Sequence, residues 1–92
     1  MPTERRRVFY EGRVQGVGFR FTARRLAVGL PVVGFVRNLH DGKVELVVEG
    51  EPAAVDAVLA AIRAELGDKI RSCSSAEEPP GDPPYSEFSI RY

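Results

Sequence analysis

Hydrophobic and polar residues alternate over three stretches in the first half of the chain, which is the pattern of β-strands with one buried face. The stretches are residues 7–14, 32–38 and 43–49, and the second is rich in β-branched and aromatic side chains. Asp41 and Gly42 stand between the second and third stretches, and an Asp-Gly pair in this position predicts a hairpin. The side chains predicted to face the core from the first and third strands are Val8, Tyr10, Val14, Val44, Leu46 and Val48.

Two other stretches repeat apolar residues at helical spacing. Residues 21–28 form the first, and Gly29 and Pro31 behind it predict where that helix ends. The second predicted helix begins at Pro52, a residue suited to a first turn, and ends before Gly67. The apolar stripes consist of Ala23, Leu26 and Ala27 in the first helix and of Val55, Val58, Leu59, Ile62 and Leu66 in the second.

Two weaker strands are predicted in the last third of the chain, at residues 69–75 and 85–92, with a proline-rich loop at residues 79–84 between them. The resulting order, β-α-β-β-α-β plus a C-terminal strand, is typical of the α+β ferredoxin-like sandwich, an antiparallel sheet with two helices on one face. Because two domains would each be too small to support a core, residues 1–92 are predicted to form one domain.

Composition and charge exclude several classes of protein. Hydrophobic residues make up 43% of the chain and charged residues 28%, as in folded globular proteins. Thirteen basic and thirteen acidic residues cancel, which predicts no nucleic-acid or membrane partner. One cysteine and one histidine are too few for an intrachain disulfide or a His/Cys zinc site. With no signal-peptide pattern, we expect a cytoplasmic protein, and nothing indicates an apolar surface that would demand more than a monomer.

A glycine-containing segment follows the first predicted strand and is a candidate anion site. Its glycines allow backbone N–H groups to turn inward, and the segment leads into a helix N-terminus, which favours negative charge. An arginine at its end can hold two phosphate oxygens at once. The pattern is neither a Walker loop nor a dinucleotide fingerprint, and it also fits a tight turn with an exposed arginine. The residues of this candidate cradle are Gln15, Gly16, Val17, Gly18, Phe19 and Arg20.

Asn38 is predicted to lie near the cradle. The first two strands belong to one βαβ unit, so they run parallel and their carboxyl ends share one edge of the sheet. Asn38 either bonds the backbone of the hairpin turn or orients a water molecule. His40 has no evident acidic partner and is not predicted to be catalytic. Residues 5–7 are interpreted as a solvated charge run, and Cys73 as a small packing residue.

Three segments of the first half of the chain carry a recognisable set of motifs. Residues 12–20 read Gly-Arg-Val-Gln-Gly-Val-Gly-Phe-Arg, residues 34–38 read Gly-Phe-Val-Arg-Asn, and residues 41–45 read Asp-Gly-Lys-Val-Glu. Together these segments resemble the acylphosphatase family. The resemblance is dense in the first half of the chain and looser in the second. Phe35 stands where many members carry tryptophan, and Asp68 stands where many carry proline. Both departures are away from the positions that carry chemistry.

The resemblance implies hydrolysis of acyl phosphates, of the acetyl, benzoyl or carbamoyl phosphate type, to carboxylate and inorganic phosphate, with no metal or other cofactor. It implies that Arg20 binds the phosphate, that Asn38 positions the attacking water, and that the backbone amides of residues 15–19 complete the cradle. A carboxylate leaves readily, so positioning and charge stabilisation suffice. The alternative is an accessory module that binds phosphate or carbamoyl phosphate with little turnover. An RNA-recognition domain is disfavoured because the third strand has no aromatic residue.

Overall fold

The predicted strands form one five-stranded sheet in the computed structural model, and the two stretches of helical spacing form α-helices. The structure describes residues 3–92. The strands lie in the order β4-β1-β3-β2-β5, and only β2 and β5 pair in parallel. This α+β ferredoxin-like arrangement confirms the predicted fold class, with a mixed sheet because of that one parallel pair. The elements are β1 (Glu4–Gly12), α1 (Phe19–Val28), β2 (Val32–Asn38), β3 (Val44–Gly50), α2 (Pro52–Leu66) and, after a short 3-10 turn at Gly67–Lys69, β4 (Ile70–Glu78) and β5 (Phe88–Arg91).

Long-range pairing moves several boundaries away from the predicted ones. β4 continues to Glu78, three residues beyond the prediction, because it pairs with β1 up to Arg5. β1 ends at Gly12 rather than at residue 14, where an irregularity in the pairing with β4 ends the ladder. β5 starts only at Phe88, since the residues before it do not belong to the ladder with β2. Among them, Tyr85 packs its ring against Phe35 on the outer face of the sheet.

The core lies between the sheet and the two helices and contains the residues that the patterns predicted. The inward-facing strand residues are buried, as are both helical stripes except Leu26 and Leu59, which are partly buried. Phe19 also belongs to the core, with its ring centre 5.1 Å from that of Tyr10. Burial raises the pKa of Tyr10. The buried ring of Phe19 therefore fixes the first turn of α1 against the sheet.

Gly34 allows β2 and β3 to approach each other closely. Its φ is +140°, and a Cβ atom at this position would lie 1.9 Å from the carbonyl oxygen of Val47. A larger residue would therefore force the two strands apart. The ladder that this contact permits pairs Asn38 with Val44, so the last residue of β2 is held in a fixed register at the edge of the sheet.

The outer face of the sheet, away from the helices, contains a buried arginine. Arg5 is only 1% exposed; its Nε donates to Glu49 over 2.7 Å, and its terminal nitrogens donate to the carbonyls of Asp82 and Pro83 over 2.9 and 2.5 Å. The ring of Tyr85 lies 4.5 Å from its guanidinium carbon. The interpretation of residues 5–7 as a solvated charge run is wrong for Arg5, because sheet pairing and the proline-rich loop bring acceptors to it from distant parts of the chain.

We expect Arg5→Leu to lower the free energy of unfolding by about 3 kcal/mol, because it removes the cation paired with the largely buried carboxylate of Glu49 and leaves two carbonyls without their donor. Urea denaturation followed by circular dichroism measures the change. Arg24→Leu, at an exposed position of α1, is the matched control and should shift stability by no more than about 0.5 kcal/mol. Equal unfolding midpoints for the two variants would contradict the role given to Arg5.

Candidate functional site

The loop that follows β1 and the end of β2 meet at one edge of the sheet and line a cavity of about 140 Å³. The loop and the first turn of α1 contribute Gly16, Gly18 and Arg20 to its wall. Asn38 enters from the tip of β2, and Tyr92 from beyond the end of β5. The convergence that the βαβ topology predicted is therefore present, although β3 lies between β1 and β2.

The two glycines of the loop adopt conformations that other residues avoid. Gly16 has φ +76° and Gly18 has φ +77°, and no atom lies within 4 Å of a Cβ built on either. The requirement for glycine is thus conformational rather than steric. Within residues 3–92, none of the backbone N–H groups of residues 15–19 donates to a backbone carbonyl. These N–H groups are available for an anion at the N-terminus of α1.

Gln15 connects the loop to the hairpin instead of lining the cavity. Its Nε2 donates to the carbonyls of Leu39 and Lys43 over 2.7 and 2.9 Å. Val17 does not line the cavity either, and it is 39% exposed. Of the six predicted cradle residues, the structure brings four to the cavity wall, namely Gly16, Gly18, Phe19 and Arg20.

We expect Gln15→Glu to destabilise the fold by about 2 kcal/mol and to lower activity, because a carboxylate cannot donate to the two carbonyls. Thermal unfolding and amide exchange of residues 39–43 test this prediction. Arg13→Ala, an exposed change in the same loop, should leave both measurements near those of the unmodified protein. Unchanged exchange in Gln15→Glu would show that the side chain does not hold loop and hairpin together.

Asn38 has a buried acceptor that no protein group satisfies: its Oδ1 is without a hydrogen-bond partner. The hairpin turn is bonded by other groups. The N–H of Leu39 donates to the carbonyl of Lys43, and the N–H of Lys43 donates to the side chain of Asp41. The alternative that Asn38 bonds the turn is therefore wrong. A buried acceptor without a partner is rare and points to a bound water or ligand.

Arg20 carries a charge that no carboxylate offsets within the part of the chain that the structure describes. Its Nη1 lies 3.5 Å from the carbonyl oxygen of Arg91, and its guanidinium carbon lies 4.9 Å from the centre of the Tyr92 ring. In contrast, Arg37, which precedes Asn38 on β2, is paired with the carboxylate of Glu45. The guanidinium of Arg20 thus lies at the cavity wall, free to bind an anion.

The remaining candidates lie outside the cavity. His40 is exposed and lines a separate cavity of about 450 Å³ beyond the end of β2. Cys73 is exposed on β4, with Arg63 Nη2 3.7 Å from its sulfur, so the prediction of a packing residue is wrong because β4 is an edge strand. Among the described residues there is no cluster of three or more potential metal ligands and no helix long and apolar enough to cross a membrane.

The cavity combines three features that suit a tetrahedral oxyanion and a water molecule. Unbonded backbone N–H groups and the Arg20 guanidinium provide donors and positive charge. The Asn38 Oδ1 provides an acceptor, which suits a water rather than an anion. Such an arrangement can hold a phosphoryl group and place a water molecule beside it.

Comparison with known proteins shows the family of this chain. The acylphosphatase family model matches residues 6–90. The chain is 45% identical over 85 residues to an acylphosphatase of Synechococcus sp. (strain JA-2-3B'a(2-13)), covering 91% of this chain and 88% of that protein. It is 42% identical over 81 residues to one of Yersinia pseudotuberculosis (serotype O:1b, strain IP 31758), covering 88% of each. The crystal structure of acylphosphatase from Bacillus subtilis superposes with a TM-score of 0.87 at 32% identity, covering 97% of this chain and 99% of that one.

Proposed function

This chain belongs to the acylphosphatase family, enzymes that hydrolyse the carboxyl–phosphate bond of acyl phosphates, and we propose that Arg20 and Asn38 carry out this reaction. In this proposal the substrate is a small acyl phosphate, the backbone amides of residues 15–19 and Arg20 hold its phosphate, and Asn38 positions the attacking water. We further propose that residues 1–92 act as a single-domain monomer in the cytoplasm without a nucleic-acid partner, which the balanced charge supports.

Phosphate binding is supported by the donors around the cavity. The non-bridging oxygens of the phosphoryl group carry the charge in the transition state, so donors held in place by the fold stabilise it without reorganisation. The amides of the loop, which donate to no backbone carbonyl, are the donors proposed for this role. The fork of Arg20 can hold two of these oxygens together, and no carboxylate among the described residues competes for it.

The unsatisfied Oδ1 of Asn38 is the single observation that carries the catalytic proposal. A water that donates a hydrogen bond to this oxygen directs a lone pair towards the phosphorus. The water oxygen then bonds to phosphorus while the bond from phosphorus to the acyl oxygen breaks, and the carboxylate leaves with the electron pair. The proton of the water passes to a phosphate oxygen, which gives inorganic phosphate. No general acid is required, because a carboxylate is stable as an anion.

The same observation favours hydrolysis over the alternative of an accessory module that binds phosphate or carbamoyl phosphate with little turnover. A site that only binds an anion gains nothing from a buried acceptor, since the partial negative charge of an amide oxygen repels a phosphate oxygen. Asn38 lines the cavity together with Arg20, and its acceptor has no partner. An acceptor next to an anion cradle suits a site in which a water must be oriented.

Hydrolysis of acetyl, benzoyl and carbamoyl phosphate by the purified chain, with inorganic phosphate as competitive inhibitor, tests the proposed function. We expect release of carboxylate or carbamate well above the spontaneous rate. If phosphate binds but no substrate is hydrolysed faster than in buffer, the chain is a binding module and the catalytic proposal fails.

A further inference from the structure

Exposed apolar side chains are concentrated around the mouth of the cavity. Large hydrophobic residues with high exposure in the described chain are Phe21 at 74%, Tyr92 at 98% and Val17 at 39%, together with Val28 at 60%. Phe21 and Tyr92 both line the cavity, whereas Val28 lies at the far end of α1. Single exposed apolar residues are ordinary, but several around a polar cavity indicate contact with an apolar part of a ligand.

The polar groups of the cavity leave its mouth to the acyl group. Gly16, Gly18, Arg20 and Asn38 line the cavity, and they are groups proposed to hold the phosphoryl group and the water. The acyl group is bonded to that phosphoryl group, so in this proposal it extends to the mouth, where it contacts the exposed side chains.

The direction of attack decides on which side of the mouth the acyl group lies. In an in-line displacement the leaving oxygen is on the far side of phosphorus from the attacking water. Asn38, which holds the water in the proposed function, belongs to the sheet side of the cavity, whereas Phe21 belongs to α1. The neighbouring cavity of about 450 Å³ is lined by Asn38, Leu39 and His40 and also by Tyr92, so Tyr92 borders both cavities and only Phe21 distinguishes between them.

We propose that Phe21 and Tyr92, here called the aromatic rim, form an acyl-group subsite that selects acyl phosphates with a planar apolar acyl group. This inference rests on the proposed function. An aromatic acyl group can pack against the Phe21 ring and remove it from water. An acetyl group covers much less of the ring, and a carbamoyl group would bring polar N–H groups against it without a partner. The residues of the rim are thus specificity-determining, while the phosphate is held by the cradle.

The ratio of kcat/KM for benzoyl phosphate to kcat/KM for acetyl phosphate tests the subsite. Any change in phosphate binding affects both substrates, so it cancels in the ratio. We expect Phe21→Ala to lower the ratio about fivefold to tenfold, and Phe21→Leu to lower it less. Tyr92→Leu serves as a second rim variant and should lower the ratio in the same direction. Val28→Ala removes an exposed apolar side chain from the same helix and should leave the ratio unchanged.

The outcomes separate this inference from the function on which it rests. If the unmodified chain hydrolyses neither substrate, the proposed function itself fails. If it hydrolyses both but the ratio is the same in Phe21→Ala and Tyr92→Leu, the subsite is wrong and the hydrolase function stands. If instead His40→Ala lowers the ratio and Phe21→Ala does not, the acyl group lies in the neighbouring cavity, which Tyr92 also lines, and the aromatic rim is overturned.

Discussion

Replacement of Asn38 by alanine is expected to lower kcat by about 100-fold to 1,000-fold while inorganic phosphate binds as before. The side chain supplies the acceptor that aligns the water but makes no contribution to holding the phosphate oxygens. Binding and turnover therefore separate in this variant. The fold should not be weakened by the loss of a hydrogen bond, because the buried Oδ1 makes none within the protein.

Three measurements on Asn38→Ala test this expectation: kcat with benzoyl phosphate, the inhibition constant of inorganic phosphate, and the unfolding midpoint. His40→Ala is a suitable control, since it changes an exposed residue of the same hairpin that lies outside the cavity. Hydrolysis of benzoyl phosphate at nearly the unmodified rate in Asn38→Ala would rule out the role of Asn38 in positioning the water.

Replacement of Arg20 by lysine is expected to lower kcat/KM by about 100-fold, and Arg20→Gln should lower it further and also abolish phosphate binding. Lysine keeps the charge, but a single ammonium cannot hold two oxygens in the planar geometry of a guanidinium. Glutamine removes the charge altogether. The affinity for inorganic phosphate therefore distinguishes these variants from Asn38→Ala. The arginine variants lose it, whereas the asparagine variant retains it.

Competitive inhibition by inorganic phosphate, together with kcat/KM, measures both effects in the Arg20 variants. Arg24→Gln is the matched control, because it removes an exposed arginine one turn further along the same helix. It should change neither quantity. An inhibition constant for phosphate that is the same in Arg20→Gln as in the unmodified chain would show that the phosphate is held elsewhere.

The elements with strong local signals could be predicted from the sequence. β2 runs from Val32 to Asn38 and α2 begins at Pro52, both as predicted. The signals for them are a run of β-branched residues in the strand and a proline in the first turn of the helix, and each depends only on residues close together in sequence. The loop glycines and Arg20 could be recognised as a candidate anion site for the same reason, and the structure brings them to one cavity. Phe19 illustrates the limit of such signals: predicted as part of the cradle, it also places its ring in the core.

Features that depend on distant parts of the chain could not be predicted. The burial of Arg5 depends on Glu49 and on the carbonyls of the proline-rich loop, more than forty positions away in sequence. The bonds of Gln15 to the hairpin depend on how two loops meet after folding. The sequence likewise left two roles open for Asn38, and only the three-dimensional structure shows that its acceptor is buried and without a partner.

Two walls of the cavity come from the loop that follows β1 and from the tip of β2, and these two strands never touch, because β3 runs between them. With neighbouring strands about 4.8 Å apart, the loop and the tip of β2 are separated by roughly 10 Å, a gap that only the intervening strand can set. No hairpin or helix–strand pair taken alone can reproduce this spacing. We therefore expect anion affinity to be a collective property of the complete sheet, lost together with the native state in one cooperative transition.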